Sequence, residues 1–285
     1  MSADAQTAPD VSIVIPCYNG MATIARCLDS VRQAIDGRHG EIILVDSSDD
    51  GTDRFVAATY PDVRLTHFPT KTLPGKARNH GVALARARLI AFIDADCVAP
   101  TTLIDNVLAS FHRHPEQSAI VGCIRNANPG AVSWLSFISE FNGFFGRQER
   151  RPILSLPSYC AVYRRSVFDG YHGFPETLWP GEDTVLCARL AEGKEPLFLE
   201  PRVWVYHHNR DTMTAYLSHQ YALGYGFSVS RKLLPALPGA DSLHRSAVFI
   251  YPMAAYRCLK MLQRTFDSDW QNGFRILWLM PGYLW

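Results

Sequence analysis

Leu89-Ile90-Ala91-Phe92-Ile93-Asp94-Ala95-Asp96-Cys97 is an apolar run that ends in two carboxylates separated by one small residue. The run, with Ile and Phe in it, predicts a buried β-strand. Residues two apart on a strand point to the same side, so if extension persists to the tip, Asp94 and Asp96 face one place together. Two close like charges repel, and each resists ionising unless a cation sits between them. Oxygen donors at the mouth of a cleft suit Mg²⁺ or Mn²⁺, which commonly share such a site with phosphates. The competing reading is a solvated Asp-x-Asp turn that merely closes the strand. The rest of the chain has to decide between them.

On the N-terminal side, the texture repeats. Val11-Ser12-Ile13-Val14-Ile15 stops at the turn formers Pro16-Cys17-Tyr18-Asn19-Gly20, and a helical pattern follows with Ile24, Leu28, Val31 and Ile35 on one face. Glu41 to Val45 is a second strand. It ends in Asp46-Ser47-Ser48-Asp49-Asp50-Gly51-Thr52, where Asp50 or Thr52 caps a helix running to about Tyr60. A third strand spans 62–67, a helix 76–88, another helix 101–112 and a strand 119–123. Strands alternating with helices at this spacing predict an α/β fold, with a mostly parallel central sheet and helices on both faces. Ligands of such sheets bind outside the carboxyl ends of the strands, where the polar clusters 16–19, 46–50 and 94–96 all fall. No Gly-x-Gly-x-x-Gly follows the first strand, and no Gly-Lys-Ser/Thr loop occurs. Both absences count against a dinucleotide-binding Rossmann domain and a P-loop NTPase.

Past Ile124, Trp134, Phe137, Ile138, Phe141, Phe144 and Phe145 form an aromatic stripe at helical spacing, read as packing against the sheet in preference to a substrate wall. Residues 147–151 are a charged, mobile-looking stretch, and 156–163 return to strand texture. Gly, Pro and aromatic residues between 168 and 180 predict an irregular loop. It leads into an amphipathic helix whose first turn holds Glu182 and Asp183. Acids there complement the helix dipole; alternatively, one of them is a general base held over the cleft. Two short strands, 196–200 and 203–206, end in His207-His208-Asn209-Arg210.

Composition narrows the partners. In 285 residues, 28 Lys and Arg against 27 Asp and Glu leave a net charge of +1, which gives no electrostatic case for nucleic acid. The seven cysteines form no Cys-x-x-Cys pair, so reduced buried thiols are expected and a zinc ribbon or disulfide framework is not. The first ten residues carry no basic and apolar signal segment, which predicts a cytoplasmic protein.

Taken together, Pro16-Cys17-Tyr18-Asn19, Asp46-Ser47-Ser48-Asp49-Asp50-Gly51-Thr52, Gly75-Lys76-Ala77-Arg78-Asn79-x-Gly81, Asp94-x-Asp96, Gly181-Glu182-Asp183 and the His207 strand end resemble the inverting family-2 glycosyltransferases of the GT-A fold. The motifs lie in that family's order across residues 11–210. The resemblance implies a nucleotide pocket lined by Pro16 and Tyr18, with Asp46 on the base, usually uracil. It places Arg78 near base or diphosphate, Asp94 by ribose and metal, Asp96 on the metal and Asp183 as the base. It also puts Glu182 against the acceptor, and makes His207, with His208 as its rival, the remaining metal ligand. It implies Mg²⁺ or Mn²⁺ as cofactor, a nucleotide-sugar donor (UDP-sugar favoured) and a glycan or lipid-linked acceptor. Processive members carry Gln-x-x-Arg-Trp after the acidic pair; none occurs here, so a single transfer is expected. A sugar-1-phosphate nucleotidyltransferase would need a Gly-rich basic loop after the first strand, which Pro16 to Gly20 does not supply. A catalytically degenerate nucleotide-binding or membrane scaffold is the other alternative.

The catalytic region is expected to span 1–210. Residues 211–285 read as three helices, 212–234, 243–266 and 270–280, with Arg231, Lys232, Arg245, Arg257, Lys260, Arg264 and Arg275 among apolar residues. Such a surface either packs on the catalytic domain or contacts the inner face of an anionic membrane through 231–285. No apolar run reaches the ~20 residues of a spanning helix, although Ile276 to Trp285 ends while still apolar.

Overall fold

The computed structural model describes residues 8–146, 148–233 and 250–268. Four apolar segments make the first half of the sheet: β1 (Val11–Cys17), β2 (Gly40–Asp46), β3 (Arg64–His67) and β4 (Leu89–Ile93). β1, β2 and β4 are almost wholly buried, which is why they read as continuous hydrophobic runs without period-two alternation. β3 is half exposed and lies at the sheet's edge. β2 pairs in parallel with β1 and β3, and β1 with β4.

The second half comprises β5 (Cys97–Val98), β6 (Ala119–Asn126), β7 (Arg151–Pro152), β8 (Cys160–Arg164) and β9 (Leu197–His207). Together the described residues form one nine-stranded sheet in the order β3-β2-β1-β4-β8-β6-β9-β5, with β7 beside β9. β1 to β4 are parallel as expected, but the sheet as a whole is mixed. β8 runs antiparallel to both β4 and β6, and β5 and β7 run antiparallel to β9. Direction is invisible in the sequence here because Cys160-Ala161-Val162-Tyr163 is covered on both faces whichever way it runs.

Other boundaries differ from the sequence reading. The two strands predicted at 196–200 and 203–206 are one strand, β9, with a register shift opposite Gly122/Cys123 where Pro201 cannot donate to the ladder. The loop predicted at 168–180 begins inside α6 (Arg165–Tyr171), which buries Val167 and Phe168. In the charged stretch 147–151, Arg151 joins β7, whereas Arg147 lies outside the described residues.

The remaining helices are α1 (Ile24–Ile35), α2 (Thr52–Thr59), α3 (Pro74–Leu84), α4 (Leu103–Arg113), α5 (Ala131–Phe141), α7 (Glu182–Glu192), α8 (Met213–Leu233) and α9 (Ile250–Ser268). Asp50 accepts from the Thr52 amide at 3.1 Å at the start of α2. Glycines set the approach of α3. A Cβ on Gly81 would sit 2.2 Å from Val14 Cγ1, and one on Gly75 would sit 2.4 Å from the Pro175 carbonyl. The Gly75-to-Gly81 motif thus lets α3 lie flat on β1 while its first turn touches the 174–182 segment. Phe137, Phe141 and Phe145 of the aromatic stripe are buried.

All seven cysteines are buried and none forms a disulfide. Among the described residues no helix is long and apolar enough to cross a membrane. The predicted helix 270–280, the break at Pro235 to Gly239, Arg245, Arg275 and the apolar end 276–285 lie outside the described residues.

Candidate active site

The carboxyl ends of β1 and β4, the N-terminus of α7 and the exit of β9 surround one cleft of about 730 Å³. Pro16, Tyr18, Arg78, Asp94, Asp96, Glu182, Asp183 and His207 all line it.

β4 stops at Ile93, one residue short of the acids. Asp94 to Cys97 form a turn, closed by the Cys97 amide on the Asp94 carbonyl at 2.9 Å. The two carboxylates are therefore not presented by strand alternation, and each is positioned separately. Asp94 Oδ1 accepts from Arg78 Nη2 at 3.1 Å. Asp96 is placed by β5, whose Cys97 pairs with His207 of β9, and the His208 amide donates to the Asp96 carbonyl at 2.9 Å. A strand of two residues thus fixes the juxtaposition: Asp96 Oδ1 lies 3.4 Å from His207 Nε2. The opposite ring nitrogen, Nδ1, is 3.0 Å from Asn209 Oδ1, which leaves Nε2 facing Asp96, and the ring packs 5.0 Å from Phe141. His208 also lines the cleft.

Asp96 Oδ1 is buried and has no hydrogen-bond partner among the described residues. Burial, reinforced by the Asp94 charge and opposed by His207, raises its carboxyl above the usual range. An unsatisfied carboxylate oxygen beside an imidazole nitrogen is a donor set that fits a divalent cation. Cys97 Sγ lies in the same group, and burial lifts its thiol well above the ordinary range.

Arg78 joins the two halves of the cleft. It is buried, gives Nη2 to Asp94, and gives Nη1 to Glu182 Oε1 at 2.6 Å. Burial disfavours its charge, but the Asp94 and Glu182 carboxylates outweigh that and hold the guanidinium above its usual value. Glu182 is buried and its other oxygen accepts from the Gly181 amide at 3.1 Å. Gly181, at φ 113°, takes the left-handed conformation that opens α7. Asp183 is half-buried, and Thr184 holds its Oδ1 through the amide at 2.7 Å. Burial first, then the Glu182 charge, push its carboxyl up from 3.8 to about 6, against the pull of Arg78.

Asp46 departs from the expected placement. Its side chain has no exposure and it does not line the cleft. Ser48 engages both oxygens, through its hydroxyl and its amide, and His67 Nδ1 sits 2.7 Å from Oδ2. What faces the cleft nearby is Tyr18, over whose ring Lys71 lies at 4.3 Å.

Several cleft residues went unremarked in the sequence as site residues: Glu140 and Phe141 of α5, Trp179, Arg210, and His219 of α8. They come from four separate stretches of the chain, and only the fold brings them together. α8 belongs to the region expected to lie outside the catalytic unit, yet it packs on α5 and contributes His219 and Leu223 to the cleft.

Residues 12–171, more than half of the chain, match the family described as Glycosyl transferase family 2. The chain belongs to glycosyl transferase family 2. Similar proteins include the succinoglycan biosynthesis protein ExoO of Rhizobium meliloti, 42% identical over 71% of this chain and 62% of its own length. The pre-mycofactocin glycosyltransferase of Mycobacterium tuberculosis is 29% identical over 75% of this chain. The chain spans under half, 46%, of that relative's length.

Among solved structures, the mannosyltransferase PcManGT of Pyrobaculum calidifontis, in complex with GDP-Man and Mn²⁺, superposes with a TM-score of 0.62 at 19% identity, covering 98% of this chain and 86% of its own. TarS 1–349 of S. aureus with UDP-GlcNAc gives 0.57 at 16% identity, covering 96% and 78%. These likenesses establish the GT-A fold for this family-2 chain.

Proposed function

We propose that the protein transfers one sugar, with inversion, from a nucleoside-diphosphate sugar to a hydroxyl of a glycan or lipid-linked acceptor, using Mg²⁺ or Mn²⁺. The observation that carries this reading is the unsatisfied, buried Asp96 Oδ1 beside His207 Nε2, in the same cleft as Asp183. The neighbours solved with GDP-Man and Mn²⁺, with UDP-GlcNAc and with UDP support a nucleoside-diphosphate-sugar donor.

In this reading Asp96 and His207 hold the cation, with Asp94 beside it. A divalent cation in that position supplies positive charge to the departing diphosphate. Pro16 and Tyr18 wall the nucleotide, and Asp46 reads the base once Ser48 and His67, which cover it, move aside. Arg78 fixes Asp94 and Glu182 relative to one another, so the donor half and the acceptor half of the cleft keep one geometry. Asp183 accepts the acceptor hydroxyl's proton as that oxygen forms its bond to the anomeric carbon. The bond to the diphosphate breaks on the opposite face, and its electron pair leaves with the nucleotide. One displacement inverts the configuration and needs no protein nucleophile. Glu182 is held by Arg78 and lies against the acceptor.

Incubation with UDP- and GDP-sugars and Mn²⁺, with release of nucleoside diphosphate as readout, tests the reading. Turnover of at least one donor that stops on adding EDTA is the expected result. Turnover of a nucleoside triphosphate plus sugar phosphate instead would favour a nucleotidyltransferase.

We place the catalytic unit at residues 1–210, with α8 closing its cleft, at the inner face of the cell membrane. The support is a stripe on α8: Met213, Leu217, Tyr221 and Tyr225 recur every four residues and are all exposed, Tyr221 at 80%. Aromatic residues on one helix face, followed in sequence by Arg231 and Lys232, suit the interface of an anionic bilayer. Co-sedimentation with anionic vesicles, reduced several-fold by Tyr221→Glu, is the expected outcome; equal recovery of both proteins with the vesicles would remove this stripe from the contact.

A further inference from the structure

The cleft also holds a charged cluster that the donor and metal roles above leave unused. Glu140 is nearly buried in α5. Its Oε2 lies 3.3 Å from His219 Nε2, its Oε1 lies 3.5 Å from Arg210 Nη1, and Ser136 Oγ donates to Oε1 at 3.2 Å. Burial penalises the Glu140 charge, but the interactions with His219 and Arg210 outweigh that and hold the carboxyl below its usual range. Trp179 stands beside the cluster, its ring 6.4 Å from that of His219 and 41% exposed. It is four residues before Asp183. All four side chains line the same cleft as the catalytic acids.

The geometry points to a neutral-pyranose acceptor subsite: Trp179 is a platform for the apolar C–H face of the sugar, and Glu140, His219 and Arg210 are the readers of its hydroxyl rim. The inference rests on the glycosyltransferase reading and deepens it by naming the acceptor's class.

Three features carry it. A large aromatic ring exposed inside a concave polar cleft offers apolar area with a fixed orientation. A buried carboxylate beside an imidazole and a guanidinium presents acceptors and donors side by side, the mixed pattern that vicinal hydroxyls satisfy. The cleft lining holds six carboxylates against the three guanidiniums of Arg26, Arg78 and Arg210, so a carboxylated or phosphorylated acceptor ring would meet net repulsion there. The competing explanation is that the Glu140–His219 pair only ties α8 to α5.

The test uses the full chain, the donor that turns over, and octyl glycosides of glucose, galactose, mannose and N-acetylglucosamine as acceptors. Transfer and donor hydrolysis are measured in parallel. Wild type is expected to glycosylate at least one glycoside. Trp179→Ala and Glu140→Gln each raise the KM for that glycoside about tenfold or more, well beyond any change in donor KM, and Trp179→Phe recovers most of the loss. Donor hydrolysis without transfer to any glycoside would overturn the pyranose subsite and leave the glycosyltransferase reading standing. Variants that lower kcat with unchanged acceptor KM would reduce the cluster to a tie between helices. Absence of both transfer and donor hydrolysis would overturn the glycosyltransferase reading, and the subsite with it.

Discussion

Asp183→Asn lowers kcat by about 10²- to 10⁴-fold, the range spanned by loss of a positioned general base, while nucleotide affinity stays within a few-fold. The change is nearly isosteric, keeps the Thr184 contact on Oδ1, and removes only the ability to take a proton. Wild-type activity is expected to rise with pH through about 6, because the Asp183 carboxyl titrates there and acts only when ionised. The variant loses that acid limb. The same shift has a consequence for folding. A carboxyl raised from 3.8 to about 6 binds its proton more tightly in the native state, so its stabilising contribution is complete below pH 3.8 and is lost as pH rises through about 6. Asp183→Asn removes this slope from the stability curve. A pH profile of kcat/KM from 4.5 to 9 checks the first claim; turnover of the variant within a few-fold of wild type would assign the base elsewhere.

Arg78→Ala is expected to cost about 3–5 kcal/mol of stability, the range for removing one member of a buried ion pair, and at least about 100-fold in turnover, as for a lost positioning contact. Glu182 and Asp94 both depend on the guanidinium, at 2.6 and 3.1 Å, and Glu182 would be left buried with only the Gly181 amide. Arg78→Lys is not a rescue, because an ammonium on a flexible stem cannot serve both carboxylates at a fork's spacing. The variant also shifts the acid limb. Arg78 holds the Asp183 carboxyl down, so its loss moves that titration to higher pH. Urea unfolding with the midpoint compared at constant m reads the stability term. A midpoint equal to wild type would mean that Glu182 finds another partner and that Arg78 is not the tie described.

What the sequence disclosed depended on how local the cause was. β1, β2 and β4 were legible because burial on both faces leaves an unbroken apolar run, and the polar exits at Pro16, Asp46 and Asp94 were legible because turn chemistry is local. The antiparallel insertion of β8 was not, since strand direction leaves no mark on a doubly buried segment. Nor was β5, two residues long, although its pairing with β9 is what sets Asp96 against His207. The Asp-x-Asp pattern led to this cleft by an incomplete argument: a turn and two separate neighbours, Arg78 and His207, orient the acids, not strand alternation. Asp46 kept its place at the end of β2, but Ser48 and His67 cover it, a three-residue arrangement that needs β2 and β3 side by side. Glu140 of α5, Trp179 of the loop before α7 and His219 of α8 meet only through tertiary packing, so no window along the chain could have grouped them.

The measurement that reaches the central claim most directly is the unfolding stability of wild type and Asp96→Asn with UDP and with GDP, in the presence of Mn²⁺ and in EDTA. A ligand held at ~100 times its Kd adds about 2.7 kcal/mol to the folded state. Wild type is predicted to show a gain of that order with one of the two nucleotides, only when Mn²⁺ is present, and Asp96→Asn is predicted to lose it. Stabilisation that persists in EDTA and survives Asp96→Asn, or no response to either nucleotide, would contradict a metal–diphosphate site at Asp96 and His207.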